Sequence, residues 1–155
     1  MSLDMQTQSI ISTFKEHLQR TNSYGSQIES FLTRLLLLEI VALYESEIRT
    51  ILMQRAGKTA DRYLLSFVKN SFKSYRNLKT SDIRGKILAK FDKQFVDIFN
   101  RGITDQEETA YNNLIINRNL AAHGYAINMT FLEVESSQTM ALNIISALER
   151  TLNSL

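Results

Sequence analysis

The sequence predicts an all-α fold, an antiparallel bundle of five to six helices forming one domain. Three observations carry this. Proline is absent and glycine occurs only five times in 155 residues, whereas a sandwich or barrel of that length needs many Gly/Pro turns. Apolar residues recur at i, i+3 and i+4, the spacing that gives a helix one buried face. With 44% hydrophobic and 22% charged residues, the chain can fill a core and still cover it with charge, as a globular domain does. No repeat, low-complexity tract or linker marks off a second unit, so residues 4–155 are taken as one domain. Met1-Ser2-Leu3 has the look of an expression scar with no expected part in function.

The first helix is expected from about Asp4 to Gln19, where Ile10, Ile11, Phe14 and Leu18 form a stripe. Thr21 to Gly25 is a loop by composition. The second helix, about Ser26 to Ala56, is the longest. Its Leu32, Leu35, Leu36, Leu38, Ile40, Val41, Leu43, Ile48, Ile51 and Leu52 cover more than one face, which calls for burial at the centre or at an interface. Gly57 ends it, and Thr59 or Asp61 starts a third helix to about Tyr75, with the Tyr63/Phe67 and Phe72/Tyr75 pairs at core spacing. Ser81 is the expected N-cap of a fourth, carrying Ile87, Phe91, Phe95 and Phe99 into the core before Gly102 stops it. Thr104 with Glu107 has the form of a capping box, with Asp105 and Glu108 in the same first turn. The fifth helix then runs to about His123, where Gly124 can adopt the left-handed closing conformation. Thr130 caps a sixth, bearing Val134, Met140, Leu142, Ile145, Leu148 and Leu152.

Composition also removes several functions. There is no cysteine, which excludes disulfides, thiolate nucleophiles and cysteine-based zinc sites. The longest apolar run, Leu35 to Leu43, is too short for a bilayer and contains Glu39. The first residues lack the basic start and apolar core of a secretion signal, so a cytoplasmic setting without a membrane anchor is expected. No Gly-rich phosphate loop, H-E-x-x-H or G-x-S-x-G element is present. Net charge is +2, but it is uneven. From Arg55 to Arg101 there are twelve Lys/Arg and four Asp/Glu, a local +8, which leaves −6 for the flanks. Most of these cations are expected simply to solvate helix faces, with a minority attracting phosphate.

The residues suited to chemistry stand at the end of the fifth helix. His123 sits beside a closing glycine, where the negative end of the helix dipole favours imidazolium. Asn119, four residues earlier, shares its face and can orient the ring. Arg118 lies ~140° round the helix from His123, so one subunit alone is not expected to bring the two together. On these features alone, a histidine and an arginine that merely satisfy and balance a helix C-terminus account for the pattern as well.

Asn117-Arg118-Asn119-Leu120-Ala121-Ala122-His123-Gly124 resembles the signature of HEPN domains: an arginine followed by a polar residue, and a histidine four to six residues on. The layout is similar too, with a long apolar helix containing Glu39 and Leu43-Tyr44-Glu45-Ser46-Glu47-Ile48-Arg49, then an Arg/His-bearing helix and a terminal helix. Over residues 10 to 152 the chain is most similar to stand-alone bacterial HEPN proteins of the RiboL-PSP type. The resemblance implies a ribonuclease of toxin or defence type, working as a homodimer without metal or cofactor, with RNA in the cleft between facing Arg/His helices. Arg118 would hold the scissile phosphate, His123 would exchange protons, and Asn119 would position the imidazole or bind phosphate. The products would be a 2′,3′-cyclic phosphate and a 5′-hydroxyl.

Glu39 is a further candidate, because a carboxylate among leucines needs a partner such as Arg118 unless it faces solvent. Tyr125 completes Arg118-x4-His123-x-Tyr125, similar to HEPN toxins whose tyrosine is adenylated by a nucleotidyltransferase antitoxin; packing behind the helix end is the other reading. Against the nuclease stand two alternatives: a non-catalytic module that binds RNA, nucleotide or a protein partner, and a helical oligomerisation domain.

Overall fold

A computed structural model describes residues 1–154. The chain is all-α and folds as a helical bundle. Helix α1 (Leu3–Arg20) begins at Ser2, whose Oγ accepts from the Met5 N–H (3.3 Å). Leu3 packs against the core, so these first residues take part in the fold. Helix α2 (Gln27–Ala56) is central. It packs against α1, α7 (Asp105–Ala122) and α8 (Phe131–Asn153), and buries Leu36, Leu37, Ile40, Val41, Tyr44, Ile48, Ile51 and Leu52. Its opposite side carries Ile28, Phe31 and Leu35 into solvent. Thus the excess of apolar residues on α2 serves a core on one side and leaves an uncovered stripe on the other.

The helix-start signals of α7 and α8 are realised as side-chain bonds. The Thr104 N–H donates to Glu107 Oε2 (2.9 Å) and the Glu107 N–H returns to Thr104 Oγ1 (3.2 Å). Thr130 and Glu133 form the same box at the start of α8. Each pair satisfies two backbone donors that a helix otherwise leaves open.

The middle of the chain departs from expectation in three ways. Helix α3 (Arg62–Ser71) is capped by Asp61 and gives way to a 3₁₀ turn, Phe72–Ser74, instead of reaching Tyr75 intact. Tyr63 and Phe67, expected in the core, are 73% and 70% exposed. Val68 faces the core, and the two aromatics lie ~100–140° round the helix from it. The fourth helix is broken: α4 (Thr80–Asp82), a π-helical stretch Ile83–Leu88 and α5 (Ala89–Phe91) end at Asp92, and α6 (Lys93–Arg101) follows. The start is at Lys79, not Ser81, because the Asp82 carboxylate accepts from the Lys79 N–H (3.0 Å). Asp92 is extended, and its carboxylate accepts from the Gln94 N–H (2.8 Å), competing with helix continuation. Phe95 and Phe99 are buried, whereas Phe91, on the far side of the break, is 42% exposed.

A polar clamp holds this broken segment to α7. Arg84 grips Glu108 with two bonds (2.6 and 2.7 Å) and donates to Asn100 on α6 (2.6 Å), while the Thr80 hydroxyl donates to Glu108 (2.5 Å). The Arg84 hydrogen bonds, helped by Thr80, hold the Glu108 carboxyl down from 4.5 to about 2. A carboxylate lowered in the folded state stabilises fully above its unfolded value and loses that contribution as pH falls through 4.5 towards 2. Both partners are roughly a quarter exposed, so solvent screening reduces the contribution to about 1–2 kcal/mol. Glu108→Gln should therefore lower unfolding free energy by about that much in urea titrations at pH 7. The deficit should shrink at pH 3; an equal deficit at both values would refute the assignment.

Candidate active site

The last turn of α7 closes through its backbone. The His123 N–H donates to the Asn119 carbonyl (3.2 Å), the Gly124 N–H to Ala121 (3.2 Å) and the Tyr125 N–H to Leu120 (2.9 Å). Gly124 has φ +75°, the left-handed conformation in which a side chain would be strained. This Schellman closure satisfies the helix-end carbonyls from the main chain. The imidazole is therefore not needed as a cap donor, and His123 is exposed. Asn119 is half-buried one turn back, but no side-chain bond joins it to the His123 ring among the described residues.

Arg118 points elsewhere. Its Nη1 donates to Asn77 Oδ1 (2.7 Å), and its Nε is buried without a partner. Asn77 lies in the loop before α4 at φ +52°, and its own N–H donates to Glu45 Oε1 (2.8 Å) on α2. Glu45 also stands 3.8 Å from Arg49. The Tyr111 hydroxyl donates to the Leu78 carbonyl (2.9 Å), fixing the same loop from α7. Arg118 is thus positioned by a relay through Asn77 to Glu45, and most of its guanidinium fork remains uncommitted.

Glu39 does not belong to this relay. It is exposed and forms no ion pair with Arg118 among the described residues. The carboxylate on the Arg118 side of α2 is Glu45, six residues on and ~120° round the helix. Its sequence signal was the Glu45/Arg49 i,i+4 pair, but the link to Arg118 passes through a loop residue that no periodicity locates. Tyr125 is 64% exposed, so it does not pack behind the helix end, and its ring centroid is 6.4 Å from that of His123.

The loop after α7 is tied down where it leads into α8. The Asn128 N–H donates to Asn117 Oδ1 (2.7 Å) and the Phe131 N–H to Glu29 Oε1 on the first turn of α2 (3.3 Å). These bonds hold the loop to α7 at Asn117 and the start of α8 to the N-terminal part of α2, the part that carries exposed Ile28, Phe31 and Leu35. The Arg118-x4-His123 pair therefore stands at the end of the penultimate helix. The profile of the RiboL-PSP-HEPN family matches residues 6–154. The chain belongs to this HEPN family. No curated protein and no solved structure matches it. In this HEPN domain no group of three His, Cys, Asp or Glu side chains converges to hold a metal ion among the described residues. No described helix is long and apolar enough to cross a membrane.

Proposed function

We propose that this HEPN domain is a metal-independent endoribonuclease whose site is composed across a homodimer. The observation that carries the reading is the division of labour at the end of α7: a guanidinium held from behind by Asn77, and an exposed imidazole on another side of the same helix. Two copies related by a twofold axis would bring one subunit's Arg118 towards the other's His123.

In that cleft Arg118 binds the scissile phosphate as a permanent, forked donor and stabilises the charge that grows on its oxygens. His123 removes the 2′-hydroxyl proton; O2′ attacks phosphorus, the bond from phosphorus to O5′ breaks, the leaving oxygen takes a proton from water, and His123 returns its proton to solvent. The 2′-hydroxyl requirement makes RNA the substrate. Asn119 serves as an uncharged donor to phosphate or imidazole. Tyr125, exposed beside the site, offers its hydroxyl to an antitoxin such as a nucleotidyltransferase, whose adenylation would obstruct the cleft.

The bond from Arg118 to Asn77 favours one competing reading, a module in which Arg118 is structural and RNA, nucleotide or a protein is bound but not cut. End-group analysis of RNA incubated with wild type and His123→Ala in chelator separates the two. Cleavage by wild type alone, leaving cyclic phosphate ends and losing about 10²–10⁴-fold in the variant, is expected. Intact RNA in both samples, with folding verified, would leave the binding module.

A further inference from the structure

The loop that carries Asn77 also borders a cavity. A pocket of about 490 Å³ is lined by Arg49 and Met53 of α2, Lys69 of α3, Phe72 and Lys73 of the 3₁₀ turn, and Arg76. Four of these six side chains are cations and none is an acid. Lys69, Lys73 and Arg76 are exposed and make no ion pair or hydrogen bond through their side chains among the described residues. Arg49 has its Nε buried without a partner, and its nearest carboxylate, Glu45, stands off at 3.8 Å and is already bonded to Asn77. Gathering four cations into one concavity costs self-repulsion unless an anion occupies it. Beneath them lies an apolar floor, with Phe72 buried and Met53 packed on the core. Four cations around an apolar floor favour the phosphates of a nucleic-acid strand.

Its placement connects it to Arg118. Arg76 is the chain neighbour of Asn77, the residue that bonds Arg118, and Arg49 approaches the same Glu45 that holds Asn77. We propose that this pocket is a substrate subsite that binds backbone phosphates of single-stranded RNA flanking the phosphodiester held at Arg118; the inference rests on the ribonuclease reading above. The local +8 of residues 55–101 then has a specific focus: Lys69, Lys73 and Arg76 contact the strand, while other cations of that segment only add to the field.

A 2′-O-methyl oligoribonucleotide, which cannot be cut by 2′-oxygen attack, tests binding apart from catalysis. Its fluorescence anisotropy is titrated with wild type, with the Lys69→Ala/Lys73→Ala/Arg76→Ala triple variant, and with a Lys90→Ala/Lys93→Ala/Arg101→Ala triple of equal charge loss. All six side chains are exposed, and circular dichroism checks the fold of each protein. Losing three phosphate contacts should reduce the slope of log affinity against log salt by about 2 and weaken binding on the order of 10–100-fold at 0.1 M salt. Equal weakening by both triples, an unchanged affinity in the pocket triple, or no binding by wild type would each overturn the subsite. The two readings fail separately. Pocket-dependent binding by a protein that leaves ordinary RNA intact removes the nuclease and keeps the pocket, while vigorous cleavage by a pocket triple of unchanged affinity does the reverse.

Discussion

Arg118→Ala and His123→Ala proteins, each inactive alone, should regain roughly a quarter of wild-type RNA cleavage after mixing and subunit exchange, because half the dimers become mixed and each holds one intact pairing of two. The expectation follows from the geometry of α7. Its last turn sends Arg118 towards Asn77 and leaves His123 in solvent on a different side, the arrangement on which the proposed two-chain site rests. Each single variant should fall by at least about 10²-fold, since one loses proton transfer and the other its preorganised charge. Mixed dimers are verified by native mass spectrometry of differently tagged subunits. Their presence without any recovered cleavage would refute a site shared between subunits and place both groups in one chain. The mixing result also separates catalysis from stability, because a variant that had merely unfolded would contribute nothing to a hybrid.

The parts of this fold that could be read from sequence are those fixed by local chemistry. Thr104 with Glu107, Thr130 with its following acid, and Gly124 each act within one helical turn, and the structure shows the corresponding bonds. Arg118 and His123 could be located on α7, and their angular separation follows from helix geometry alone. What escaped the sequence depends on contacts between distant segments. Phe91, Phe95 and Phe99 share a helical spacing, yet Asp92 caps a new helix between the first and the second, so only two of the three are buried. Tyr63 and Phe67 keep core spacing on a helix whose contact with the bundle runs along the side of Val68. Glu39 interrupts a leucine run but stands in solvent. The carboxylate that reaches Arg118 is Glu45, and it does so through Asn77, a loop residue with left-handed backbone.

The same loop is held from the core by Tyr111. Its ring is fully buried and stacks on Tyr44 with centroids 5.9 Å apart, and its hydroxyl donates to Leu78, the residue after Asn77. Burial, reinforced by Glu45 and Asp82, pushes that hydroxyl far above its ordinary value, so it remains a neutral donor at any working pH. Tyr111→Ala deletes a buried aromatic and should cost about 3–5 kcal/mol, a large part of the ~5–15 kcal/mol that holds a domain together. In a chain of this size that lowers the melting temperature by roughly 10 °C. Tyr111→Phe isolates the loop contact. It keeps the ring and leaves the Leu78 carbonyl unsatisfied, for about 1 kcal/mol in stability. If the loop positions Arg118, kcat should fall in this variant by more than its stability loss explains at temperatures where it is fully folded. A Phe variant with normal kcat would mean that Asn77 stays in place without Tyr111, leaving Glu45 as the sole anchor of the relay.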